Sequence, residues 1–182
     1  MTRLRIPVQL RWSDMDAYGH INNVQMFRIL EEARIAAFWS HPNPADGGWP
    51  TAVIDAGVGA ATTTLVASQE IEYLRPLEYR REPVTVELWI GHLGGASIDV
   101  CYQVVDGGGD GTVDGVAAGT GAPVAEAPYA RACTTLVLAD EATGSPRRLT
   151  PAERASWTPF LGPMVQLRRR RPAAPSPQAV GR

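Results

Sequence analysis

The chain has 182 residues, 45% of them hydrophobic and 20% charged, with a formal net charge of −2. That is enough chain for one domain with one sizeable core, at ordinary globular composition. The near-neutral balance gives no field favouring nucleic acid or a membrane surface, and no stretch approaches the roughly 18 apolar residues that span a bilayer. The N-terminal "MTRLRIPVQLRW" has basic residues but no long apolar run, so no secretory signal is expected. Cys101 and Cys133 lie in apolar, strand-like runs. Two cysteines make no disulfide framework, and they read as reduced thiols of a cytoplasmic protein.

Residues 4–12, "LRIPVQLRW", alternate loosely and predict a first strand. Pro7 pushes that strand towards a sheet edge. A helix is expected from Asn22 to Trp39. Val24, Phe27, Leu30, Ala33 and Ala37 recur at spacings of three and four and form one apolar stripe. Arg28 and Glu32 are spaced for an i,i+4 pair on its flank. "HPNPADGGWP", 41–50, ends the helix as a loop. Four more strands are expected near 62–74, 84–92, 96–105 and 128–139, with "GHLGGAS" as a hairpin connection. Residues 106–123 are glycine-rich and read as a long hairpin or an insertion. "LTPAERASW" predicts a short helix with Thr150 as N-cap, Pro151 at the first position and Glu153 completing a capping box. Residues 1–160 form the expected domain, and 161–182 read as a basic, proline-rich, disordered tail.

One strand, one long helix and then a run of antiparallel strands make an α+β fold with helix and sheet segregated. A single helix cannot cover both faces of a five-stranded sheet. The second face must be short, polar or paired with another subunit.

The stretch "WSDMDAYGHINNVQMF", Trp12 to Phe27, joins the first strand to the helix. It has two readings. Asp, Asn and Gly form turns, and a carboxylate ahead of a helix often caps it. The same geometry also suits chemistry. The free N–H groups of a first helical turn gather partial positive charge and can hold an oxyanion forming on an attacked carbonyl. A carboxylate just ahead of that turn can attack the carbonyl or activate a water. Gly19 removes a side chain where backbone and substrate would come close. The combination is acyl transfer without serine or cysteine, which fits a thioester.

"DMDAYGHINN" followed by "EEAR" resembles the acyl-CoA thioesterases of the hotdog fold, of the 4-hydroxybenzoyl-CoA thioesterase type. "IEYLRPL", 71–77, resembles that family's strand ending in Tyr-x-Arg-Pro, and "TLVLADEATGSPRRLTPAER" resembles its last strand, turn and closing helix. The resemblance covers about residues 4–157. It implies one long central helix wrapped by a curved five-stranded antiparallel sheet. Protomers pair edge to edge into a homodimer, often a homotetramer, with the site at the interface. By position, Asp16 is the implied catalytic carboxylate, the N–H near Asn23 the oxyanion donor, and His20 and Asn22 the orienting groups. Glu31 is an implied second acid or base. Gly19, Asn22, Met26 and Arg75 are the implied substrate-binding positions. Met26 stands where the family usually has tyrosine, and suits a more adaptable acyl pocket.

No cofactor is implied beyond the CoA of the substrate, and no Cys/His/Asp spacing suggests metal. "GGASI" lacks the second glycine of a serine elbow, and "GGGDGTVDG" has no P-loop lysine. Trp49 reads as a loop-packing residue or a pocket lid. Arg75, Arg80 and Arg81 can meet CoA phosphates or stand as a solvated cluster. The expected reaction is hydrolysis of an acyl-CoA to acid and CoA. Its rivals are an acyl-carrier-protein thioesterase and a hotdog protein that binds acyl-CoA without cleaving it.

Overall fold

A computed structural model describes residues 2–41, 48–107 and 127–168. Five strands form one antiparallel sheet: β1 Leu4–Val8, β2 Thr62–Tyr73, β3 Val84–Leu93, β4 Ser97–Val105 and β5 Ala130–Asp140. Their order is β1-β3-β4-β5-β2, so β1 and β2 are the edges. Pro7 sits on the β1 edge, where a missing N–H costs no ladder bond. The expected α+β class and five-stranded sheet are both present. Most of the glycine-rich segment lies outside the described residues.

Helix α1 runs Asn23–Phe38. Asn22 caps it by accepting the Val24 N–H at 2.9 Å. The buried face is Met26, Ile29, Leu30, Ala33, Arg34, Ala37 and Phe38. The expected stripe is therefore rotated at its start. Val24 is 64% exposed and Phe27 half-buried, because both lie on the flank of the helix rather than under it. At the far end the chain turns extended at Trp39, and Thr51 Oγ1 donates to the Ala37 carbonyl at 2.5 Å. That hydroxyl satisfies one of the carbonyls a helix end leaves open. The Arg28–Glu32 pair forms at 3.2 Å.

Beneath α1, the sheet contributes Val84, Val86, Leu88 and Ile90 from β3 and Ile98, Val100, Tyr102 and Val104 from β4. Each large aliphatic buried this completely stabilises the fold by about 1.5–3 kcal/mol. Helix α2, Pro151–Trp157, closes one end with Trp157 set edge-on to Phe38 at 5.7 Å. Its capping box is complete: Glu153 N–H donates to Thr150 Oγ1 at 3.2 Å and Thr150 N–H donates to Glu153 Oε2 at 2.7 Å.

The second face of the sheet is partly covered by the chain itself. Residues 161–168, which the sequence places in the tail, run across it. Gly162 N–H donates to the Ile90 carbonyl at 2.9 Å, and Trp89 Nε1 donates to the Pro163 carbonyl at 2.8 Å. Arg168 reaches Glu72 on β2 at 3.1 Å. The Arg3 guanidinium stacks 4.3 Å from the Trp89 ring, leaving Trp89 2% exposed. Cys101 and Cys133 face each other across β4 and β5 as free thiols. No helix among the described residues is long and apolar enough to cross a membrane.

Candidate active site

The loop between β1 and α1 uses its two aspartates differently. Asp14 is buried. Its carboxylate accepts the Arg11 N–H at 2.7 Å and pairs with Arg28 of α1 at 2.5 Å. Its carbonyl accepts the Asn22 N–H at 2.8 Å. Asp14 thus fastens the loop to the helix. Asp16 is half-buried, and Oδ1 accepts the N–H groups of Tyr18 at 2.8 Å and His20 at 3.1 Å. The turn between them needs Gly19, whose φ of +80° suits glycine best. A Cβ there would meet no atom within 4 Å, so this glycine serves the turn rather than close packing.

The loop is pinned to the segment after β2. His20 bridges Glu78, and the Ile21 N–H donates to the Leu77 carbonyl at 2.7 Å. Between these walls opens a cleft of about 410 Å³. Asp16, His20, Asn23, Met26 and Arg75 all line it, with Ile21, Tyr73, Leu74, Pro76 and Leu77. Five sequence-expected positions therefore converge. Three do not line this cleft. Gly19 shapes the turn behind Asp16. Asn22 spends its carbonyl oxygen on the helix cap. Glu31 stands two turns along α1, more than half exposed, paired with Arg34 at 3.3 Å.

Five cleft residues were not among the expected site positions, and of these Tyr73 alone carries a polar side chain. Its hydroxyl donates to the Asn23 carbonyl at 3.1 Å, fixing β2 against the start of α1. Burial raises the Tyr73 phenol above its ordinary pKa, which keeps it a donor. The signal was present in "IEYLRPL", but its partner lies 50 positions away.

A second cleft, of about 330 Å³, shares Arg75 and Pro76 with the first and continues to Arg80 and Tyr129. The Arg75 guanidinium lies 3.6 Å from the Tyr129 ring centre and donates to Asp106 at 2.8 Å. Arg80 also pairs with Asp106. Burial alone would lower the Arg80 pKa; its hydrogen bonds to Asp106 and Tyr129 outweigh that and raise it. Trp49 packs against the core. Among the described residues, no cluster of three or more His, Cys, Asp or Glu side chains forms a metal-binding group.

The arrangement places a carboxylate, an imidazole and the positive end of a 16-residue helix around one open cleft. That is a set of groups able to polarise and attack a carbonyl.

Solved structures similar to this chain include a candidate thioesterase from Pseudomonas aeruginosa. It is 26% identical, with a TM-score of 0.60, over 86% of this chain and 98% of that one. A thioesterase from Thermus thermophilus, solved with coenzyme A and Zn, is 24% identical with a TM-score of 0.56, over 86% and 93%. A DHNA-CoA thioesterase from Staphylococcus aureus is 15% identical with a TM-score of 0.59, over 86% and 89%. The last two share the fold. No curated protein matches in sequence. A family model described as the thioesterase-like superfamily matches residues 10–177, nearly the whole chain. The chain belongs to the thioesterase-like superfamily of thioester hydrolases.

Proposed function

We propose that this protein is an acyl-CoA thioesterase of the 4-hydroxybenzoyl-CoA thioesterase type. It hydrolyses an acyl-CoA to the free acid and CoA. The observation that carries the reading is the shared cleft of Asp16 and Asn23, which sets a carboxylate beside a helix N-terminus. The Asn23 N–H and the helix dipole receive the thioester oxygen as negative charge develops on it. Asp16 either activates a water or attacks the carbonyl itself, and the N–H groups of Tyr18 and His20 hold its Oδ1. His20 orients the thioester, and Glu31, the second acid or base that the resemblance implies, stands outside this cleft in its pair with Arg34.

The CoA portion leaves the cleft past Arg75 and Pro76 towards Arg80. Guanidinium groups suit phosphate oxygens, and Tyr129 offers a ring face. In the hotdog arrangement α1 is the central helix and the sheet curves around it. β2 is a 12-residue edge strand with Leu65 and Val66 half exposed. An edge of that length with no second strand partner among the described residues invites pairing, so the active form is a homodimer joined along β2, able to pair again into a tetramer. The unbridged cysteines fit a cytoplasmic protein.

Thiol release from a panel of acyl-CoAs tests the reading. Release dependent on the protein is expected for at least one acyl group. Matched acyl-carrier-protein substrates run beside the panel distinguish the carrier, and faster release from the carrier protein would reassign the thiol partner.

A further inference from the structure

The outer face of the sheet holds a pair of thiols that the proposed chemistry leaves unused. Along β4, Ile98, Val100, Tyr102 and Val104 join the core under α1. Cys101 lies between two of them and so points to the other face. Along β5, Ala130, Ala132, Leu136 and Leu138 join the core, and Cys133 points outward in the same way. The two cysteines are directly opposed in the β4–β5 register. Opposed residues of an antiparallel pair have Cα atoms about 4.5 or 5.5 Å apart. Both spacings fall within the range of about 4.4–6.8 Å that a disulfide spans.

The thiols are not equivalent. Cys101 is fully buried and Cys133 half-buried. Cys133 hydrogen-bonds Cys101, and the Val165 N–H donates to Cys101 Sγ at 3.4 Å. Those two bonds outweigh burial and hold the Cys101 thiol below its ordinary pKa, with Arg3 helping and Asp99 opposing. Cys133 is pushed up, first by its bond to Cys101, then by burial and by negative charge on Cys101, Asp99 and Glu70. The shared proton therefore stays with Cys133, and Cys101 carries the thiolate character on which attack depends.

Residues 161–168 close over the pair. A Cβ at Gly91 would lie 2.8 Å from Cys101 Sγ and closer still to Met164 Sδ, so glycine leaves room for both sulfurs. Gly162, Pro163 and Val165 all bond to β3 or β4 around this point. Cys101 is thus an anchor of the segment as well as a thiol.

We infer that Cys101 and Cys133 form an oxidant-responsive dithiol, which a hydroperoxide converts to a reversible disulfide across β4 and β5 that loosens segment 161–168. A small oxidant suits a thiol covered this closely. The Cys101 sulfur attacks one oxygen of hydrogen peroxide and the O–O bond breaks. Cys101 becomes a sulfenic acid, and the other oxygen leaves as water with the Cys101 proton. The Cys133 sulfur then attacks the Cys101 sulfur, the S–O bond breaks, and a second water carries off the Cys133 proton. Two thiols are oxidised to one disulfide, and one peroxide is reduced to two waters. An S–S bond of about 2.0 Å draws Cys101 Sγ towards Cys133 and off the Val165 N–H.

The test exposes the whole protein to hydrogen peroxide, as wild type, Cys101→Ser and Cys133→Ser. The readouts are intact mass, a non-reducing digest and hydrogen exchange over 161–168. Wild type should lose the mass of two hydrogens, join the Cys101 and Cys133 peptides of one chain, and recover both thiols with dithiothreitol. Exchange at the Val165 N–H should speed up by about tenfold on oxidation and slow again on reduction. Cys133→Ser should stop at a sulfenic acid on Cys101, trapped by dimedone. Cys101→Ser should lose its remaining thiol about tenfold more slowly than wild type. Wild type that keeps both thiols, gains oxygen on cysteine without bridging, or bridges between chains overturns the inference. These wild-type readouts decide it even if a serine variant fails to fold. A bridge with unchanged Val165 exchange overturns the coupling to the segment. Equal thiol loss in wild type and Cys101→Ser overturns the order of attack. None of the readouts depends on thioesterase activity.

Discussion

The Tyr73 hydroxyl donates to the carbonyl of Asn23 across 3.1 Å, joining an edge strand to the first residue of the helix. It is a small bond in a decisive place. The Asn23 N–H proposed to hold the oxyanion belongs to the same short segment, so its aim depends on where β2 holds the helix start. Tyr73→Phe should cost about 1 kcal/mol of stability and lower kcat by about tenfold, which corresponds to a loss of about 1.4 kcal/mol in transition-state stabilisation. Thermal melting and acyl-CoA kinetics measure both. Unchanged kcat would mean the tie has no part in positioning the site.

The two aspartates of the loop should separate under mutation. Asp14 is buried against Arg28, and neutralising it removes a charge-assisted bond while Arg28 keeps Glu32. Asp14→Asn should destabilise the fold by about 2 kcal/mol. Its effect on turnover should follow the fraction folded. Denaturant unfolding checks the first claim, and activity per folded protein checks the second.

Acid should loosen the C-terminal end through Glu153. Burial alone would raise this carboxyl; hydrogen bonds from Arg147 and the Thr150 N–H outweigh that and hold it below the usual carboxylate range. A depressed folded pKa stabilises above the unfolded value of about 4.3 and is lost as pH falls through the folded one. Glu153→Gln should therefore lower Tm at neutral pH, with the difference from wild type shrinking below about pH 4. A constant difference across that range would show that the charge is not what stabilises the cap.

The β2 edge carries the assembly proposal. Val66→Lys places a charge on the exposed edge, a device that blocks strand pairing. Sedimentation should give a dimer or larger for wild type and a monomer for the variant, with turnover falling alongside. A fully active monomeric wild type would place the whole site within one chain.

Much of this was legible in the sequence because it is local. The spacing of Val84, Val86, Leu88 and Ile90 is the period of a strand, and each is buried on one face of β3. Thr150, Pro151 and Glu153 write a capping box within four positions. The start of α1 was harder, since Asp16 and Asn22 are both good caps, and only the structure shows Asn22 in that role. Asp14 gave no sign of being a fastener because its partner Arg28 sits on another element. The burial of Arg34 beside Tyr102, which hydrogen-bonds both Arg34 and Thr134, could not be read at all. Arg34 looks like a flank residue in "EEAR", and nothing local reports that the sheet buries it.

The central claim is that Asp16 performs the chemistry, and Asp16→Asn tests it most directly. The asparagine oxygen can still accept the Tyr18 and His20 N–H groups, so the loop keeps its shape.

 The His20 and Tyr18 donors are backbone groups, which this substitution leaves in place. Measured as thiol release from the best acyl-CoA of the panel, turnover should fall by about 10²–10⁴-fold while Tm stays near wild type. A folded Asp16→Asn protein that releases thiol at the wild-type rate would contradict the account, and the carboxylate ahead of α1 would then be a turn former only.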